Sequence, residues 1–170
     1  MHDADTTFSA LSNTKSLGPN LMFLFMGGDK RLEPLKELAK DPARQTQCAH
    51  FIPREHTHIS LAAIDAHWLS LYSQFSALVF PSKFAGICAV RRPMIFVGVP
   101  QYTVGRMISE NKPGLVVKNG DSEGFAKAAA QLAKDPELRQ EMGDNACQFY
   151  LRTFSKEAGR KKWAELLSAS

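Results

Sequence analysis

The chain has 170 residues, 44% of them hydrophobic and 22% charged, with a formal net charge of +4. That balance excludes a disordered tail, a collagen-like repeat and a coiled coil, and the length suits one domain spanning 1–170. No apolar run approaches the ~18 residues that cross a bilayer, and Met1-His2-Asp3-Ala4-Asp5 lacks the basic start of a signal peptide.

The three cysteines, Cys48, Cys88 and Cys147, lie far apart and form no CxxC or Cys/His ligand spacing. A disulfide framework and a structural zinc are therefore not expected, and a reducing cytoplasm fits. The pI near 9.0 is a mild excess. Basic residues are scattered apart from Arg91-Arg92 and Arg160-Lys161-Lys162, and aromatics do not interleave with them, so no nucleic-acid partner is expected. The balance suits an anionic ligand such as a phosphate, or a peripheral touch on acidic lipid.

In chain order, Asp3 to Lys15 reads as a helix with Phe8 and Leu11 on one face, broken by Gly18-Pro19-Asn20. Leu21 to Met26 is a continuous apolar run, as for a strand buried on both faces, and Lys30 to Ala39 is a helix. Cys48 to Ile52 reads as a strand stopped by Pro53, Ile59 to Ile64 as a short helix, and Ala66 to Leu71 as a third strand. Leu78-Val79-Phe80 is a short edge segment, and Ser82 is expected to cap a helix running to about Val90. Met94 to Val97 is a strand, Tyr102 to Glu110 a helix and Gly114 to Val117 the last strand. Helices over Asp121 to Ala133, Pro136 to Leu151 and Ser155 to Leu167 close the chain. Strands alternating with amphipathic helices predict an α/β fold with a parallel sheet. The chain opens on a helix, so the strand that begins a doubly wound sheet is expected to be missing.

Two segments carry candidate chemistry. Gly27-Gly28-Asp29-Lys30 is a glycine turn between strand and helix, where backbone amides can approach phosphate. It matches neither the dinucleotide fingerprint nor the P-loop, and a plain connection is the commoner use of such a turn. Pro81-Ser82-Lys83-Phe84-Ala85-Gly86 places a hydroxyl and a lysine at a helix start, which suits a diphosphate; a serine cap beside an exposed lysine is the commoner use there too. His56-Thr57-His58 lacks a third ligand, so no metal site is read, and no nucleophilic triad is legible.

The motifs in order are Phe23-Leu24-Phe25-Met26-Gly27-Gly28, His50-Phe51-Ile52-Pro53, Phe80-Pro81-Ser82-Lys83-Phe84, Arg92-Pro93-Met94-Ile95 and Gly114-Leu115-Val116-Val117. Gly120-Asp121 follows, then Asp135-Pro136-Glu137-Leu138-Arg139, Met142-Gly143 and Asn145-Ala146. Over about Phe8 to Leu167 this order resembles the C-terminal half of group 1 (family four) glycosyltransferases. It is most similar to bacterial enzymes of capsule, O-antigen and colanic-acid synthesis.

The resemblance implies a Rossmann-like three-layer α/β/α domain, one half of a glycosyltransferase-B fold, that binds a nucleotide-sugar (a UDP-sugar first) for retaining, metal-independent transfer with no cofactor. The acceptor would be a polysaccharide or lipid-linked, in the cytoplasm or peripheral to the inner membrane. By position, Gly27, Gly28 and Lys30 would face the donor phosphates, and Phe51, Ile52, Pro53 and Arg54 would hold the base. Ser82, Lys83 and Phe84 would sit near the diphosphate and sugar. Gly86 and Thr103 stand where many members carry glutamates, the first of them on the ribose. The acceptor-binding N-terminal half is absent from this chain, so activity is expected to need it as a partner. A non-catalytic remnant or nucleotide-binding module with the same fold is the alternative.

Overall fold

The computed structural model describes residues 5–12, 21–26, 37, 40, 46–50 and 52–168. In chain order the elements are α1 (Asp5–Ser12), β1 (Phe23–Met26), β2 (Thr46–Ala49), α2 (Thr57–Ala62), β3 (His67–Ser70), α3 (Lys83–Ala89) and β4 (Met94–Val97). They continue with α4 (Thr103–Asn111), β5 (Gly114–Val117), α5 (Ser122–Lys134), α6 (Pro136–Thr153) and α7 (Lys156–Ser168). Among the described residues every strand pairing is parallel. β1 lies beside β2, Phe23 opposite Thr46, and β4 lies between β3 and β5, with Met94 opposite both His67 and Gly114.

The central strand explains the layering. Successive side chains of a strand point to opposite faces, and all four residues of β4 are buried. Ile95 and Val97 join Ala10 and Leu11 of α1 and Phe125 and Leu132 of α5. Met94 and Phe96 join Phe84 and Ile87 of α3, Val104 and Ile108 of α4 and Phe149 of α6. Helices therefore cover both faces of a parallel sheet, which its continuous apolar sequence requires. Each fully buried large side chain contributes about 1.5–3 kcal/mol of transfer free energy.

Helix ends follow local chemistry. Asp121 and Asp135 cap α5 and α6, accepting from the amides of Gly124 and Leu138 at 2.8 Å. Pro136 follows at the first position of α6, where its missing amide is not needed. Lys112 closes α4 in the left-handed region (φ 53°), and Pro113 prevents the helix from continuing.

Several expectations are corrected. β1 is shorter than Leu21 to Met26 and is not buried on both faces, because Leu24 is 37% exposed. The second strand is Thr46–Ala49 rather than Cys48 to Ile52, set by its register with β1. Leu78 lies in a turn, and Leu78-Val79-Phe80 forms no strand. Ser82 does not cap α3: its backbone is already helical (φ −59°, ψ −26°), and the carbonyl of Pro81 takes the Phe84 amide at 3.0 Å. The helix expected from Lys30 to Ala39 lies outside the described residues, Glu37 apart.

Candidate functional site

In an open parallel sheet, ligands bind outside the carboxyl ends of the strands. A crevice of about 450 Å³ lies there, lined by Ser73 beyond β3, Gly98, Val99, Pro100 and Gln101 beyond β4, and Lys118 and Asn119 beyond β5. Among the described residues, Lys118 is the one ionisable side chain of the lining.

Close packing holds this rim together. The Asn119 side-chain amide donates to the Leu71 carbonyl at 2.8 Å. The Gly120 amide donates to Thr6 Oγ1 at 2.8 Å, and the Tyr72 hydroxyl to Asp5 Oδ2 at 3.2 Å. The first turn of α1 is thus fastened to the exits of β3 and β5. Gly105 lets the first turn of α4 press against the crevice loop: a Cβ there would fall 2.6 Å from the Pro100 carbonyl oxygen. The N-cap of α4, Tyr102, makes no side-chain cap bond. First-turn amides and one ammonium group beside a cavity are a chemistry for anions.

Of the residues expected to contact ligand, Gly27, Gly28, Lys30 and Phe51 lie outside the described residues. Ile52, Pro53 and Arg54 are exposed and lead into a single 3-10 turn, Arg54–His56. Ser82 and Lys83 are exposed at the start of α3. Phe84 requires a correction: its ring is 0% exposed, stacked edge-on to Phe80, Phe149 and Phe154 at 5.3–6.2 Å, so it holds α3 in place and cannot touch a ligand. Gly86 faces α2, where a Cβ would lie 3.1 Å from Leu61 Cδ1. Thr103 is exposed at the first position of α4, two residues from Gln101. None of the described eight lines the crevice.

Lys118, Asn119, Gln101 and Ser73 were not singled out by sequence reasoning. The signal for two of them was present: Asn119-Gly120-Asp121 is a turn directly after the last apolar strand, with Gly120 in the left-handed region (φ 82°).

Titratable groups lie elsewhere. His67, at the amino end of β3, donates from Nε2 to the Leu61 carbonyl at 2.8 Å. Burial pushes its pKa below the ordinary 6.5, more than that bond raises it, and the Lys83 and Arg92 charges lower it further. Burial raises the Cys88 thiol to about 12, with Cys147 adding to the rise. Among the described residues, no three His, Cys, Asp or Glu side chains gather as metal ligands, and no helix is long and apolar enough to cross a membrane.

A family model described as "Glycosyl transferases group 1" matches residues 3–149. Among solved structures, the chain is similar to sucrose-phosphate synthase from Thermosynechococcus elongatus, with TM-score 0.72 and 20% identity over 99% of this chain and 44% of that one. It is similar to TarM, with TM-score 0.69 and 17% identity over 96% of this chain and 32% of that one. It is also similar to WaaG, "a glycosyltransferase involved in lipopolysaccharide biosynthesis", with TM-score 0.67 and 15% identity over 94% and 42%. At these identities the likeness shows the fold. The chain spans less than half the length of each. No curated protein matches it significantly.

Proposed function

The chain belongs to the group 1 glycosyltransferases, and from that premise we propose that it is the donor-binding half of a transferase moving a sugar from a nucleotide-sugar, a UDP-sugar first. Its parallel α/β fold matches glycosyltransferases of the two-domain B type. The acceptor is a polysaccharide or lipid-linked glycan of the capsule, O-antigen or colanic-acid kind. Transfer is retaining and needs no metal, and it requires an N-terminal half that binds the acceptor. The enzyme works in the cytoplasm, peripheral to the inner membrane.

The observation that most supports this is the crevice at the carboxyl ends of β3, β4 and β5, where Lys118 places an ammonium group and Gln101 leads into the start of α4. A leaving diphosphate needs its charge neutralised by donors already in place. Lys118 is one such donor. Gly27, Gly28, Lys30, Ser82 and Lys83 complete the reading on the phosphate side, and the backbone of Phe51 to Arg54 on the base.

One observation favours a non-catalytic binding module instead. Gly86 and Thr103 leave no carboxylate where many members of the family carry glutamates.

Titration of the chain with UDP, GDP and ADP, followed by amide shift mapping, tests the proposal. Saturable binding of one of them with shifts at Gln101, Lys118 and Asn119 is expected. Silence at millimolar nucleotide would remove the donor site. Binding with no transfer after an N-terminal half is supplied would select the module reading.

A further inference from the structure

A second cavity lies at the opposite rim of the sheet. It holds about 230 Å³ and is bordered by Asp65 ahead of β3, Arg91 and Arg92 ahead of β4, and Arg139 and Gln140 in the opening turns of α6. At about 30 Å³ per water in the liquid, that is room for a phosphoryl group and several waters.

Arg92 and Arg139 are held on backbone carbonyls and Arg91 by a surface ion pair, each with donors to spare. Arg92 donates from Nε and one terminal nitrogen to the Ala62 carbonyl, at 3.0 and 2.6 Å. One terminal nitrogen of Arg139 serves the carbonyls of Leu132 and Ala133 at the end of α5. Arg91 pairs through one terminal nitrogen with Asp144, which also accepts from Gln140. A guanidinium carries five N–H donors, so all three keep unused ones around one space. The planes of Arg92 and Arg139, anchored on backbone carbonyls, lose little freedom on meeting an oxyanion, and the fork geometry of all three matches phosphate oxygens. Among the described residues, Asp65 is the single carboxylate of the lining, and Asp144 neutralises Arg91 from outside it. The lining therefore retains a positive excess with anchored donors, which solvent alone does not require.

We propose that this cavity is a second anion site, separate from the donor crevice, that takes a phosphoryl group through Arg91, Arg92 and Arg139. The phosphoryl group is either that of a soluble phosphate or that of a phospholipid headgroup.

The test is a titration of the chain with inorganic phosphate at constant ionic strength, followed by amide shift mapping. Saturable shifts at Arg91, Arg92, Arg139 and Gln140, with none at Gln101 or Lys118, are expected. Asp65→Asn removes the competing carboxylate and should tighten binding several-fold. Arg91→Gln, which gives up only a surface pair, should weaken it about tenfold, the worth of one charge-assisted contact. Thermal melts of both variants establish that they are folded. Vesicles of phosphatidylcholine with phosphatidic acid supply the other source: capture sensitive to Arg91→Gln, without a response to free phosphate, assigns the headgroup. Shifts that track chloride equally, or an affinity indifferent to both substitutions, together with no such capture, would overturn the site. Nucleotide binding at the crevice is read from different residues, so either proposal can fail without the other.

Discussion

The side-chain amide of Asn119 donates to the backbone carbonyl of Leu71 across 2.8 Å. One bond thereby fastens the exit of β5 to the exit of β3, over the central strand between them. Asn119→Ala leaves that carbonyl without this donor, which costs about 1–3 kcal/mol. Urea denaturation should register that loss, and nucleotide affinity should fall with it because Asn119 also lines the crevice.

Lys118 and Lys83 make competing claims on the donor phosphates. Lys118→Ala should weaken nucleoside diphosphate binding by roughly 1.5–3 kcal/mol, the range for hydrogen bonds to charged groups. Lys83→Ala, measured beside it by calorimetry, should change binding less, because Lys83 stands outside the crevice lining. A larger loss at Lys83 would move the phosphate site to the start of α3.

Gly105 carries a second claim about the crevice. A methyl group there meets the Pro100 backbone at 2.6 Å, so Gly105→Ala must push α4 away from the loop. Overpacking of this kind costs about 1–3 kcal/mol. A lowered melting temperature and weakened nucleotide binding are the expected pair of readouts; unchanged binding would separate α4 from the site.

Phe84 is a core residue, and its substitution should behave as one. Phe84→Ala empties the space between Phe80, Phe149 and Phe154 and should destabilise the chain by about 3–5 kcal/mol. Phe84→Leu keeps most of the volume, so nucleotide affinity close to that of the parent chain is expected. A ligand-contacting ring would show the reverse order of effects.

His67 makes stability depend on pH. Its folded pKa lies below the ordinary 6.5 because the ring is buried, so the unfolded chain takes up the proton first as pH falls. Stability should therefore drop as pH is lowered through about 6.5 and level off below the folded pKa. His67→Gln should flatten that part of the profile in chemical denaturation. Cys88 offers a parallel check: with its thiol at about 12 and fully buried, it should resist an aromatic disulfide reagent until the chain unfolds.

How far the sequence was legible depends on what kind of information each element carries. Met94 to Val97 is an unbroken apolar run; it was legible as a strand, and the structure buries it on both faces. Leu21 to Met26 looks the same, yet Leu24 is 37% exposed, because hydrophobicity does not say which neighbours a strand receives. Thr46-Gln47 has no strand signature at all. Its ladder is made by backbone groups, and its place is set by the register with Phe23 to Met26. The starts of the helices at Asp121 and Pro136 were legible within a residue because they are set locally, although the capping role of Asp121 and Asp135 emerges only in the structure. The crevice was not, since Gly98 to Gln101 and Lys118-Asn119 are ordinary loop residues until three parallel strands bring their exits together. Phe84 failed for the opposite reason: a motif placed it beside a ligand, and a cluster of rings distant in sequence claimed it.

β4 belongs to both hydrophobic layers, Ile95 and Val97 to one and Met94 and Phe96 to the other. Neither layer can be dissolved without withdrawing contacts that support the other. The part of the chain around this strand should therefore melt in a single cooperative step, with the backbone amides of β4 exchanging with deuterium only through global opening. Slow exchange at Ile95 and Phe96 would then report the stability of the entire unit, and a ligand at either rim would slow it by the free energy of its binding.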